Sequence, residues 1–371
     1  MNRKKILFYH PEFSDGGAEK TNLLVSEELS KKYEIFYISN FFSNKYNEEI
    51  KKMGIKKIKL SANRTITSFF EISKIIKKIN PDIIFSVQMH ANILMLLINL
   101  FLFKNNLKII CCERLSPKSY YGNLKGKIIL ILAYLLYKNA KKIICNSKGL
   151  ANEIKKLTNS KNITFIYNPT LKQKLKRLAD KFKVNEYPFK NKKNRKIIIS
   201  IGRLDKTKNQ MMLLKAVNCL RSKENLSVVF IGEGNKKKDL IKYSEEINFN
   251  KNLYFLGFKK NPFPYLVKSD LFILTSNYEG LPNVLIESMS LNVPIISTNC
   301  PSGPKEILLN GKAGFLVNTN DYKTLSNRIN LFLDKPKIFY KKKLFYKKSL
   351  KRFSSKKSLQ QYANIVRKLI L

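Results

Sequence analysis

The stretch LFILTSNYEGLPNVLIE, residues 271–287, contains a short apolar run, a polar loop and the start of a helical pattern. Leu271–Leu274 predicts a buried strand, and Pro282 suits the first turn of the helix that follows. Gly280 permits a close approach of the backbone to a ligand. A strand that passes through a short loop into a helix is the repeating unit of parallel α/β sheets.

The same alternation continues on both sides of this stretch. Strands are predicted at residues 5–9, 35–39, 55–60, 83–87, 108–112, 142–145, 163–166, 197–201, 227–231, 253–256, 294–297 and 315–317. Helices are predicted at 18–31, 68–79, 92–103, 124–137 and 148–157, and after Asn209, Asn235, Asn283, Gly303 and Tyr322. Because such alternation produces parallel sheets with right-handed crossovers, the sequence predicts an α/β fold with two doubly wound sheets.

The segment from Asn168 to Lys196 is polar and lysine-rich, with no clear strand. We interpret it as the link between two domains, which a chain of 371 residues can accommodate. The predicted divisions are 1–170, 171–350 and a last segment, 351–371.

The charge of the chain is strongly positive, with 71 Lys and Arg against 26 acidic residues, a net charge of +45. Such a chain favours phosphate-bearing partners: nucleic acid, anionic lipid or phosphorylated ligands. A codon bias toward lysine explains the excess equally well. Residues 335–357 hold eleven Lys or Arg, no acid and a recurring set of aromatic and aliphatic residues: Ile338, Phe339, Phe345, Tyr346 and Phe353. This pattern predicts a basic amphipathic helix at a membrane interface, or a terminal helix that packs its aromatic stripe on the protein, and the two are compatible.

The cysteines are odd in number and show no C-x-x-C spacing: Cys111, Cys112, Cys145, Cys219 and Cys300. We expect a reduced, cytosolic protein with no structural metal, and buried thiols at Cys111, Cys112 and Cys145. Residues 83–103 lack charges, but polar side chains divide them into a strand and a helix.

An anion site is predicted where two strands of the second half end. Gly202 allows a tight turn after the strand 197–201, and Arg203 and Lys208 follow at the sheet edge, where both can grip a phosphate. The amides of Asn283 and Val284 begin a helix and would point at an anion. Glu279 and Glu287 flank that helix start, and carboxylates are good acceptors for the vicinal hydroxyls of a sugar.

Three further groups follow strands. Gly16 and Gly17 open the first helix and allow an amide-rich approach to phosphate, although a plain turn would look the same. His10 and His90 each trail a strand of the first half, as ligand-facing or structural histidines. Glu113 and Arg114 would meet an acceptor or form a local ion pair. Gly257 and Phe258 would read a base edge and pack beside it.

These residues together resemble the retaining GT-B glycosyltransferases of family 4, of the bacterial surface-polysaccharide type. The resemblance rests on Glu279 and Glu287 with seven residues between them, on the segment from Gly202 to Lys208, and on the early Gly16-Gly17. It implies two Rossmann-like domains whose parallel sheets face each other across a cleft, with a last helix that returns to the first domain.

The resemblance also implies roles. Arg203 and Lys208 would neutralise the donor diphosphate, Glu287 would hold the ribose and Glu279 the donor sugar. Gly17 would offer an amide to phosphate, and His90 would line the sugar site. The implied catalytic set is Glu279, His90, Arg203 and Lys208. The implied donor-binding set is Gly16, Gly17, Gly202, Arg203, Lys208, Gly257, Phe258, Glu279, Gly280, Leu281, Asn283, Val284 and Glu287. The acceptor side comprises His10, Glu113 and Arg114.

The expected reaction is transfer of a hexose-type sugar from a UDP- or GDP-linked donor to a glycan or lipid-linked acceptor, with retention of configuration. No Asp-x-Asp pair occurs, so we expect neither a metal nor another cofactor. The expected place is cytoplasmic, on the anionic inner face of the cell membrane. Three rivals remain: a nucleic-acid-binding protein, a catalytically idle partner subunit, and another GT-B chemistry such as sugar-phosphate synthesis or epimerisation.

Overall fold

The structure is a computed structural model that describes residues 3–14, 16–170, 172–181, 184–190 and 195–371. The chain divides into two units, Met1–Pro169 with Ser355–Leu371, and Thr170–Ser354. The predicted divisions at 170/171 and 350/351 lie one and four residues from these boundaries.

Unit 1 is built on a parallel sheet of seven described strands in the order β5-β3-β1-β6-β7-β8-β9. The strands of unit 1, with the small pair β2 and β4, are β1 Lys5–Tyr9, β2 Glu12–Phe13, β3 Glu34–Ser39, β4 Phe41–Phe42, β5 Lys56–Lys59, β6 Ile83–Val87, β7 Ile109–Glu113, β8 Lys142–Cys145 and β9 Ile163–Phe165. The central strands are buried from end to end, because helices cover both faces of the sheet.

The helices between these strands are α1 Gly17–Ser30, α2 Asn47–Lys52, α3 Phe69–Ile79, α4 Met89–Leu102, α5 Leu124–Leu136 and α6 Lys148–Thr158. The uncharged stretch 83–103 forms β6 and α4, as predicted. No helix in the described part of the chain combines the length and apolar character needed to cross a bilayer. Cys111, Cys112 and Cys145 are buried, as expected.

Unit 2 has a second parallel sheet, of six described strands in the order β12-β11-β10-β13-β14-β15. These strands are β10 Lys196–Ile201, β11 Leu226–Ile231, β12 Leu253–Phe255, β13 Leu271–Leu274, β14 Ile295–Thr298 and β15 Phe315–Val317. The helices of unit 2 are α7 Lys172–Ala179, α8 Gln210–Asn218, α9 Lys237–Glu246, α10 Phe263–Lys268, α11 Asn283–Ser290, α12 Pro304–Ile307, α13 Tyr322–Asp334, α14 Pro336–Lys342 and α15 Tyr346–Leu350.

The predicted link contains a helix that the sequence pattern did not indicate. Leu175 and Ala179 of α7 pack against Phe263 of α10, so this part of the segment belongs to the body of unit 2. The apolar contacts are few and the helix is otherwise basic, which hides its periodicity in the sequence.

The basic tail does not form one amphipathic helix. Residues 335–357 include α14, α15 and the start of α16, Ser355–Ile370, and Phe339, Tyr346 and Phe353 are buried. The Tyr346 hydroxyl donates to the Val293 carbonyl oxygen at 2.9 Å. The packing alternative is therefore correct for these aromatic residues, while the continuous interfacial helix is wrong.

Each sheet has one point at which the strand order reverses. In unit 1 it lies between β1 and β6, and in unit 2 between β10 and β13. Loops that leave the carboxyl ends of strands diverge there and open a crevice for ligands. Polar residues that follow these four strands are therefore the first candidates for function.

Candidate active site

In unit 2 the loops after β10 and β13 bring two predicted residues into contact. The Lys208 ammonium donates to Glu279 Oε1 at 2.5 Å, and the Ser276 hydroxyl donates to the same oxygen at 2.7 Å. The Glu279 side chain is only 8% exposed, whereas that of Lys208 is 23% exposed. The pair thus presents a cation at the crevice and holds a carboxylate beneath it.

The loop that carries Lys208 is organised by Asp205, which the sequence reasoning did not single out. Asp205 accepts the Lys208 backbone N–H at Oδ1, 2.9 Å away, and pairs through Oδ2 with Arg203 Nε at 3.2 Å. One carboxylate therefore orients both predicted phosphate-binding residues. The Arg203 side chain is 70% exposed, so its guanidinium can turn toward a ligand at little cost.

The loop after β11 supports the Arg203 loop through backbone contacts that demand glycine. A Cβ at Gly232, whose φ is +141°, would lie 2.0 Å from the Gly202 carbonyl oxygen. A Cβ at Gly234 would lie 2.2 Å from the Leu204 carbonyl oxygen. No role was predicted for Gly232 or Gly234, yet the structure makes them the support of the turn that carries Arg203.

The start of α11 is fixed in a similar way. A Cβ at Gly303, where φ is +91°, would meet Pro282 Cδ at 2.6 Å and the Gly280 carbonyl oxygen at 2.8 Å. The loop before α12 thus packs directly on the turn from which α11 emerges. Asn283 and Glu287, four residues apart in α11, are both half-buried and lie on the same face of the helix.

Four more members of the predicted donor set lie around these loops. Leu281 is buried within the turn before α11, and Val284 is half-buried in its first turn. Gly257 follows β12 with φ +68°, and its carbonyl oxygen accepts the Gly232 N–H at 2.9 Å. Phe258, next in the chain, leaves 38% of its surface exposed. An aromatic side chain thus lies at the same edge of the sheet as these loops.

In unit 1 the two histidines follow the strands that flank the reversal point. His10 is 1% exposed, and within the described residues neither ring nitrogen has a hydrogen-bond partner. Its Nε2 lies 3.8 Å from Glu19 Oε1. Burial lowers the pKa of His10 and of His90, and a proton on His10 would lower the pKa of His90 further. Both imidazoles are therefore neutral near pH 7.

The glycine pair begins α1, with Gly16 as its N-cap residue and Gly17 as its first residue. Glu19 occupies the same turn: a Cβ at Gly16 would lie 2.6 Å from Glu19 Oε2, and Ser14 donates to Oε1 at 3.1 Å. A side chain at position 16 would therefore displace the end of the Glu19 side chain from its buried position. Glu19 was not predicted, although an acidic residue in a first helical turn suits the helix dipole.

Glu113 and Arg114, at the end of β7, have different partners. Glu113 Oε1 accepts a short hydrogen bond from the Tyr137 hydroxyl and one of 2.7 Å from Asn92 Nδ2. Arg114 donates to the Tyr362 hydroxyl of α16 at 3.2 Å.

Burial raises the pKa of Glu113 to about 7. Its side chain is too deeply buried to meet an acceptor directly, which corrects that expectation. The local ion pair is likewise not the arrangement observed for Glu113 and Arg114.

Comparison with known proteins identifies the family of the chain. The family described as glycosyl transferases group 1 matches residues 183–351, and glycosyltransferase family 4 matches residues 15–170. An uncharacterised glycosyltransferase of Methanocaldococcus jannaschii is 34% identical over 303 residues, 76% of this chain and 73% of that protein. The chain belongs to the family 4 glycosyltransferases. Its enzymatic class is therefore glycosyl transfer, and its two-unit fold is of the GT-B type.

Other relatives of this glycosyltransferase have more specific names. An N-acetylgalactosamine-N,N'-diacetylbacillosaminyl-diphospho-undecaprenol 4-alpha-N-acetylgalactosaminyltransferase of Campylobacter jejuni is 28% identical, over 91% of this chain and 92% of its own. Among solved structures, Anabaena HepE in complex with UDP-glucose has a TM-score of 0.80 at 16% identity, with 98% and 99% of the two chains covered. Sucrose-phosphate synthase from Thermosynechococcus elongatus has a TM-score of 0.82 at 14% identity, with 99% of each chain covered.

Proposed function

We propose that this glycosyltransferase moves a hexose-type sugar from a nucleoside-diphosphate sugar to a glycan or lipid-linked acceptor during surface-polysaccharide synthesis. The observation that carries the proposal is the Lys208–Glu279 pair at the reversal point of unit 2, beside the start of α11. The Campylobacter relative, named for a diphospho-undecaprenol acceptor, and Anabaena HepE with its UDP-glucose support the two substrate classes.

Charge neutralisation is the proposed task of two cations. Lys208 has three N–H donors, so it can keep one hydrogen bond to Glu279 and direct another to a donor phosphate. The exposed Arg203 guanidinium supplies a second, bidentate grip. As the bond between sugar and phosphate breaks, charge grows on the leaving phosphate, where these groups stabilise the transition state without a divalent metal.

Sugar and nucleoside recognition is assigned to the two glutamates. Glu279 accepts hydrogen bonds from donor-sugar hydroxyls, and Glu287, half-buried on the same face of α11 as Asn283, accepts them from the ribose. The amides at Asn283 and Val284 lie at the positive end of the helix and favour the phosphates. Phe258 packs against the base, which is uracil or guanine in the donors that we propose.

Retention of configuration is the proposed stereochemical outcome. The acceptor hydroxyl attacks the anomeric carbon on the face that the phosphate leaves, a new C–O bond forms as the old one breaks, and the hydroxyl proton passes to a phosphate oxygen. Of the unit 1 residues, we propose Arg114 for the acceptor side and His90, neutral near pH 7, for the sugar site. His10, which is 1% exposed, is as deeply buried as Glu113, so the expectation that it meets the acceptor directly is corrected in the same way. The enzyme would work at the inner, cytoplasmic face of the membrane.

The test is transfer to a short-chain lipid-diphosphate acceptor, with UDP- and GDP-sugars supplied in turn, in EDTA and in Mn²⁺. We expect one donor to be used, equal rates in the two buffers, and a product with the donor's anomeric configuration by NMR. Inversion at that carbon, or activity only with Mn²⁺, would overturn the corresponding part of the proposal. Failure of Glu279→Gln to reduce the rate would remove the assigned site.

A further inference from the structure

Helix α5 has an apolar face that the protein does not cover. Gly126, Leu130, Ala133 and Leu136 form its buried side. The opposite side carries four aliphatic residues at helical spacing, which we call the α5 strip: Leu124, Ile128, Ile131 and Leu135. Leu124 is 73% and Ile131 59% exposed, so apolar side chains of this helix face the solvent as well as the protein.

Aromatic residues and lysines border the α5 strip. Tyr121 and Tyr134 are both more than half exposed, and tyrosine favours the boundary between water and an apolar phase. The lysines around the strip are exposed, at Lys118, Lys125, Lys127 and Lys138. An aliphatic centre with tyrosine and lysine around it is the composition of an interfacial helix.

All the Lys, Arg, Asp and Glu residues in the segment that contains α5 are positively charged. Residues 114–152 include eight Lys or Arg and no Asp or Glu. An exposed apolar surface bordered in this way attracts an anionic surface and repels a second copy of itself, because each copy would bring the same unbalanced charges. The charge complement is therefore a bilayer containing anionic lipid.

We propose that the α5 strip inserts into the interface of an anionic membrane and seats unit 1 on it. The side chains would enter the boundary between headgroups and acyl chains, about 5–10 Å deep, with the lysines at the phosphates. This deepens the membrane location in the proposed function. It moves the main contact to unit 1 from the C-terminal tail, where Phe339, Tyr346 and Phe353 are buried and Phe345 is 39% exposed.

The absence of tryptophan from the chain makes a direct test possible. Ile131→Trp places a unique fluorophore in the α5 strip, and Ile241→Trp places a matched one on an exposed position of α9 in unit 2. With vesicles of equal phosphatidylglycerol and phosphatidylcholine, we expect a blue-shifted emission from Ile131→Trp and quenching by acyl-brominated lipid. The control should show neither, and vesicles of phosphatidylcholine alone should give a much weaker effect.

A second arm measures co-sedimentation. Ile128→Asp with Ile131→Asp should weaken binding to the anionic vesicles at least about tenfold, while Ile241→Asp with Val267→Asp should not. If the first pair impairs folding, Lys125→Glu with Lys127→Glu tests the same surface through its charge and should also weaken binding. Unquenched Ile131→Trp, or unaltered sedimentation of the folded variants, would overturn the proposal. A shift of emission with protein concentration and no lipid would assign the strip to a second copy instead.

The two proposals can fail separately. Transfer to a water-soluble acceptor analogue and stabilisation by nucleotide should survive in the folded strip variants, since these substitutions change none of the residues assigned to the donor or the acceptor. Loss of membrane binding with both retained supports the α5 assignment. If the unaltered chain did not bind nucleotide, the proposed function would be contradicted instead.

Discussion

Glu279 in unit 2 and Glu113 in unit 1 are both buried carboxylates at the carboxyl end of a parallel sheet. Glu279 receives its hydrogen bonds from a cation, Lys208, and a hydroxyl. The described partners of Glu113 are neutral, a phenol and an amide. The two buried carboxylates therefore differ: Glu279 belongs to a charged pair at the reversal point of its sheet, and burial raises the pKa of Glu113.

The largest effect is expected at the Lys208–Glu279 pair. Lys208→Ala should lower turnover at least about tenfold, by loss of one donor to the leaving phosphate. It also leaves Glu279 buried without its cation, which should cost up to about 3 kcal/mol of stability. Adding Glu279→Gln should restore much of the stability and none of the turnover. Unfolding curves and steady-state kinetics on the single and double variants separate the two effects, and additive stability losses would contradict the pairing.

The second prediction concerns pH and Glu113. Its pKa in the folded protein, about 7, lies above the ordinary value of 4.5, so folding favours the protonated form. The stabilisation is complete below pH 4.5 and is lost as the pH rises through 7, a change of about 3 kcal/mol.

Glu113→Gln removes this dependence. We expect the stability of the unaltered chain relative to that of Glu113→Gln to fall steadily between pH 4.5 and 7. The exposed Glu27→Gln is the control and should show no such trend. Denaturant unfolding at four or five pH values measures the stability of the unaltered chain and of each variant. A difference in stability between the unaltered chain and Glu113→Gln that does not change with pH would refute the assignment.

The third prediction compares the effects of substituting Arg203 and Lys208 on stability and turnover. Because the Arg203 side chain is largely exposed and its partner Asp205 is a surface acid, Arg203→Ala should change stability by less than about 0.5 kcal/mol. Turnover should nevertheless fall about tenfold, through loss of contact with the diphosphate. Arg221→Ala, which removes an exposed arginine paired with Asp334, is the matched control and should leave turnover unchanged. Near-normal turnover in both Arg203→Ala and Lys208→Ala would overturn the donor assignment.

Much of the architecture could be predicted because its signals are local. Leu271–Leu274 is apolar from end to end, and a glycine and a proline follow before α11. The strand, the turn and the helix can therefore be predicted from about 20 consecutive residues. Once the two sheets are recognised, the rule that ligands bind beyond strand carboxyl ends selects the loops that carry Lys208 and Glu279.

The features that the sequence did not predict depend on contacts between residues that are far apart in the chain. Tyr137 meets Glu113 from 24 positions away, and Gly232 touches Gly202 across neighbouring strands. Nothing in the sequence near Gly232 shows that a backbone carbonyl will lie where its Cβ would be. In the tail, recurring aromatic residues fit a membrane face and a buried stripe equally well, and tertiary packing decides between them.

The central claim is that the loops after β10 and β13, with α11, bind a nucleoside diphosphate. Thermal unfolding in UDP, GDP, ADP and CMP, with EDTA or Mn²⁺, tests it most directly. At about 100 times the dissociation constant a ligand adds about 2.7 kcal/mol, which should raise Tm by about 5–10 °C. We predict this rise with UDP or GDP, in both buffers, and its loss in Glu287→Ala and Lys208→Ala. No rise with any nucleotide, or an undiminished rise in both variants, would contradict the account.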